Sequence, residues 1–147
     1  MILSFFVHVI SAFFATIFFS ILFNVQKKHL IACGIIGAIG WGIYIVGVLN
    51  NYSDVLFTFL GAYFVAQGSY FLAKYKRAPV TVFLIPGIIP LVPGIGLYRT
   101  MYALLFSDHT KALEYALTTF QLSGVIAGAI IMAALLPLLF RPRRQKI

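Results

Sequence analysis

Four predominantly apolar runs, residues 2–23, 30–49, 55–73 and 117–140, each approach or exceed twenty residues. That is the length an α-helix needs to cross a hydrocarbon core of about 30 Å. In lipid every backbone N–H and C=O must be satisfied within the segment, so such runs fold as helices. Composition agrees, because only 10% of the residues are charged and 62% are hydrophobic, with a mean hydropathy of +1.02. An ordinary soluble domain carries about 25% charged residues, so this chain is expected to be an all-α integral membrane protein, built as a single membrane domain over residues 1–147. The first run starts at Met1 without a basic leader region or a cleavage site, and reads as a retained span.

The net charge of +8 does not point to nucleic acid, which calls for a continuous basic face with aromatic interleaving. Here the charges form short clusters between apolar runs. Lys27 and Lys28, then Lys74, Lys76 and Arg77, then Arg141, Arg143, Arg144 and Lys146 occupy alternate connections, whereas Asp54, Asp108 and Glu114 all fall on the other side. Basic residues collect in cytoplasmic loops. Five spans with the N-terminus outside and the C-terminus cytoplasmic satisfy every connection, provided that residues 79–106 form the fourth.

That fourth segment is the anomaly. "PVTVFLIPGIIPLVPGIGLYR", from Pro79 to Arg99, holds four of the chain's six prolines and three glycines. An interior proline removes one helical hydrogen bond and collides with the carbonyl four residues back, at about 3 kcal/mol. The 28 residues from Pro79 to Phe106 would make a straight helix of about 40 Å, longer than an untilted crossing requires. Both arguments predict a span broken between Pro86 and Gly96, with a second half-helix starting near Ile95. The amides at the start of a half-helix carry positive partial charge and attract anions. A Pro/Gly-interrupted span is the sequence feature that best marks a transporter's substrate site. Pro86, Gly87, Pro90, Pro93 and Gly94 are therefore candidate substrate-site residues, with Arg99 and Tyr98 a turn beyond them. An arginine at membrane depth pairs with a carboxylate or with backbone carbonyls; an interfacial arginine that snorkels to water is the structural alternative.

Gln67, with Ser69 and Thr58 in the same span, is a further polar candidate, for which an interhelical hydrogen bond is the structural reading. Asn24 ends the first span and reads first as a cap and second as a substrate contact. Gly34, Ala38 and Gly42 in the second span and Gly124 and Gly128 in the last recur at helical spacing, as in close helix packing. Internal packing is the expected use, and a subunit interface, including one between copies of this chain, is the other. His8, His29 and His109 show no metal-ligand spacing, and Cys33 is the lone cysteine, so neither a metal nor a cofactor is expected. No paired carboxylates and no nucleophile with a base lie at membrane depth, which argues against an enzyme.

"IPGIIPLVPG" followed by "LYRTMYALL", together with "FNVQKKHL" leading into "ACGIIGAIGWG", resembles the threonine/serine exporter family of the ThrE type, and within it the small YjjB-like split subunit. The resemblance runs from about Phe23 to the last span. It implies a bacterial plasma-membrane location, a larger YjjP-like partner, and export of small carboxylate-bearing solutes such as threonine, serine or succinate. The positions that carry it are Asn24, Pro86, Gly87, Pro90, Pro93 and Gly94; Arg99 rests on its own chemistry. The competing readings are a non-transporting membrane scaffold, which would bind partner helices and move nothing, and a passive channel.

Overall fold

The structure, a computed structural model, describes residues 2–106 and 109–139, with side chains over 3–106 and 109–135. Asp108 and the basic tail at Arg141, Arg143, Arg144 and Lys146 lie outside the described residues. Six α-helices and two short 3-10 turns make up the described chain, and no strand is present among those residues. They are α1 (Ile2–Leu22), a turn at Lys27–His29, α2 (Leu30–Leu49), α3 (Asp54–Lys76), α4 (Thr81–Ile88), a turn at Ile89–Leu91, α5 (Gly94–Leu105) and α6 (His109–Leu139). Helices α1, α2, α3 and α6 are each long and apolar enough to cross a membrane, and α4 with its turn and α5 forms a fifth candidate span bent by 52°. Many large apolar side chains face outward, among them Leu3 at 78%, Phe71 at 70% and Phe120 at 81% exposure. Such a surface belongs in lipid, not water.

Helices α1, α2 and α3 each close on a left-handed residue, Asn24, Asn51 and Arg77 (φ 56°, 55° and 48°). In each, the next residue's amide donates back to a carbonyl in the last turn: Val25 to Ser20 at 3.0 Å, Tyr52 to Gly47 at 3.0 Å and Ala78 to Ala73 at 3.1 Å. This six-to-one bond satisfies a carbonyl that the helix end would leave bare. Asparagine tolerates the left-handed region, but arginine there is uncommon. The capping role expected of Asn24 is thus what its backbone performs.

Small residues set the helix spacing. A side chain at Gly61 would come within 2.7 Å of the Gly40 carbonyl, and one at Gly40 would collide with Val65. Gly34 faces Phe13 and Ile17 of α1 at 2.8–2.9 Å. Close backbone approach replaces the hydrophobic drive that is missing in lipid. The pattern differs on α6, where a side chain at Gly124 or Gly128 would meet nothing within 4 Å. The internal packing expected for that pair does not occur among the described residues, and its face is open.

Helix α4 wedges between α2 and α3, with further contact to α1, while α5 packs on α6. The core centres on Cys33, Ile36, Val65, Phe83 and Leu91. Pro86 lies inside α4 and is fully buried, so the helix runs on through it. The reason is local: proline removes the amide that would have bonded to the Val82 carbonyl, and the Cys33 thiol donates to that oxygen instead, at 3.3 Å.

Helices α3 and α6 run in the same direction. Thr58 and Thr119 line one cleft, and farther along both helices Gln67 donates to the Ala133 carbonyl at 3.5 Å. The intervening α4 and α5 segment therefore traverses the bundle from the end near Arg77 to the opposite end.

Candidate functional site

The break is narrower than the sequence predicts. Helix α4 ends at Ile88, the Ile89–Leu91 turn follows, Val92 is extended, and α5 begins at Gly94 with Pro93 as its N-cap. Pro93 cannot donate to the Ile89 carbonyl four residues back, and the Val92 amide takes that oxygen at 3.1 Å. The Gly94 amide turns back to the Val92 carbonyl at 2.7 Å, and Leu97 begins the helical ladder by donating to Pro93 at 3.2 Å. Among the described residues the amides of Ile95 and Gly96 are left as the open donors of the first turn, where the helix dipole is positive.

Gly94, Ile95 and Gly96 line a cleft of about 610 Å³, a volume within the usual range for small-molecule sites. Pro90, Pro93, Gly94 and Arg99 line it, as do Tyr44, Thr58, Glu114 and Thr119. It begins at the level where Leu91 packs between Gly40 and Gly61, about halfway along α2 and nearer the start of α3. From there it opens away from the Lys27–His29 turn.

Thr58 is the informative residue. The buried hydroxyls of Thr16, Ser20, Ser69 and Thr119 each donate to the carbonyl four residues back, at 2.6–2.8 Å. Thr58 is only 3% exposed, lines the cleft, and forms no such bond among the described residues. Its oxygen is not one of the sealed, unpaired polar atoms, so it opens to the cleft, where a ligand or water can supply its hydrogen bond. The sequence pattern alone does not separate Thr58 from its back-bonded counterparts.

Arg99 is exposed, and its guanidinium lies 6.0 Å from the centre of the Tyr115 ring, at cation–π range. Glu114, one turn along α6 from Thr118, brings a carboxylate to the same cleft. One residue of each charge thus borders it. The remaining sequence candidates lie elsewhere. Tyr98 borders a neighbouring cleft with Tyr102 and Lys111. Gly87 is buried in α4, where a side chain would press on Ile36 at 2.9 Å. Gln67 bonds the Tyr63 hydroxyl at 3.2 Å and ties α3 to α6. Asn24 and Pro86 border a separate cleft at the basic end.

No group of three or more His, Cys, Asp or Glu residues capable of holding a metal ion occurs among the described residues. No solved structure matches the chain. Residues 8–136 match the family described as Threonine/Serine exporter, ThrE. The traversing segment is broken in mid-bundle, beside a cleft of mixed lining. With that match over most of its length, the chain belongs to the threonine/serine exporter family, and is a multi-pass membrane protein of a transporter family.

Proposed function

We propose that this chain is the small membrane subunit of a secondary exporter in the bacterial plasma membrane, working with a larger YjjP-like subunit and acting as a carrier, not an enzyme. The carrying observation is that the first turn of α5, with the amides of Ile95 and Gly96 unpaired among the described residues, lines the same cleft as Thr58, whose hydroxyl has no partner there. The solute's carboxylate meets the start of α5 and Arg99. Glu114 supplies what an amino acid's ammonium group needs, and Thr58 suits its hydroxyl. That combination favours threonine or serine over a dicarboxylate such as succinate, whose second carboxylate would oppose Glu114.

The test is efflux from proteoliposomes containing the chain with and without the larger subunit, loaded with labelled threonine, serine or succinate. The reading expects threonine and serine efflux from the pair, with succinate slower, and a Glu114→Gln variant that shifts the preference toward succinate. Efflux by neither preparation would instead support the scaffold reading. Flux that ignores every ion gradient would support a passive channel.

A further inference from the structure

A second cleft, of about 520 Å³, lies at the opposite end of the molecule, where the connection after α1 meets the one after α3. Asn24, Lys28, His29, Arg77 and Thr81 line it, and no acidic side chain does so among the described residues. We propose that this cleft is a second anion site, which takes a compact oxyanion such as a carboxylate or phosphate group. Two chain segments about fifty residues apart converge there, and each brings a cation. The start of α4 adds backbone donors: Val82 and Phe83 donate to the carbonyls of Pro79 and Val80 at 3.2 and 3.1 Å, which leaves the Thr81 amide open at the positive end of the helix.

The second observation is independent of that helix end. His29 is only 5% exposed, its ring packs edge-on against Phe83 with centroids 5.3 Å apart, and its Nδ1 has no hydrogen-bond partner. Buried polar atoms normally have one.

The two clefts lie on opposite sides of the packed core around Val65, Phe83 and Leu91. The inference stands on this cleft's own residues and holds whether or not the site at the break carries the exported solute. The oxyanion has two sources, a free solute or the phosphate of an anionic lipid, and one protocol separates them. Inorganic phosphate is titrated against the purified full chain, stripped of lipid in neutral detergent, and binding is followed by calorimetry and by the ¹⁵N signals of the His29 ring. The result expected is saturable binding that moves the His29 signals and weakens at least tenfold in Lys28→Gln and in Arg77→Gly. The glycine keeps the left-handed backbone, so that variant is expected to fold. Lys74→Gln removes a charge near the end of α3 but borders neither cleft, and leaves binding unchanged.

Repeating the titration in nanodiscs assigns the source. Loss of phosphate binding when phosphatidylglycerol replaces phosphatidylcholine identifies a lipid headgroup, and retention identifies a free solute; both outcomes support the site. Absence of saturable phosphate binding to the unaltered, lipid-free chain would overturn the inference. So would equal binding by Lys28→Gln, Arg77→Gly and Lys74→Gln.

Discussion

At the scale of single residues, the working parts are those whose hydrogen bonds do not close locally. Membrane hydroxyls normally bond the carbonyl one turn back and are silent, as Thr16, Ser20 and Ser69 are. Thr58 is buried like them but keeps its hydroxyl uncommitted at the cleft. Thr58→Val retains shape and removes the hydroxyl, so threonine and serine efflux by the assembled pair should fall about tenfold, the effect of roughly 1.4 kcal/mol. Thr58→Ser should recover most of it, and protein levels in the membrane should be equal for both. Loss of efflux in the serine variant equal to that in the valine variant would assign Thr58 to packing. Cys33 shows the complementary case: its thiol meets the carbonyl that Pro86 leaves unpaired, and sequence spacing gives no hint of that pairing across 49 positions.

At the scale of elements, much was legible because membrane burial rewards long apolar runs. Expected spans at 2–23 and 30–49 correspond to Ile2–Leu22 and Leu30–Leu49. The last helix starts at His109, eight residues before the apolar run at 117, and packs on α5, with Ala112 buried and the Tyr115 ring beneath Arg99. Helix α3 likewise continues to Lys76, with Lys74 and Lys76 in its last turn, where cations suit the helix dipole. The broken segment was readable from its prolines, but not which proline breaks it. Pro86 is absorbed by a neighbour's thiol, whereas Pro93 starts a new helix. Glycine spacing was equally ambiguous, as packing fills the α2 face and leaves the α6 face bare.

That difference yields a paired prediction at the same scale. Gly61→Ala forces backbone against the Gly40 carbonyl and should cost about 1–3 kcal/mol, a typical overpacking penalty, read as a lower midpoint in detergent unfolding. Gly124→Ala should leave the isolated chain's midpoint unchanged. If α6 contacts the larger subunit, the same change should lower the yield of the co-purified pair; full recovery of the pair would remove the Gly124 face from the interface.

At the scale of the whole molecule, one packed core separates two clefts of different character, one mixed in charge beside the start of α5 and one basic beside the start of α4. Rocking of one half of an assembly against another, around a central site beside a broken helix, is how such carriers alternate access. The account depends on a solute carboxylate seated on the first turn of α5. Amide hydrogen exchange at Ile95 and Gly96, measured on the assembled pair with and without threonine, tests that directly. Slower exchange at these two amides on adding threonine, lost in Thr58→Val, is the predicted result. Threonine that is transported while exchange at Ile95 and Gly96 stays unaltered would contradict it.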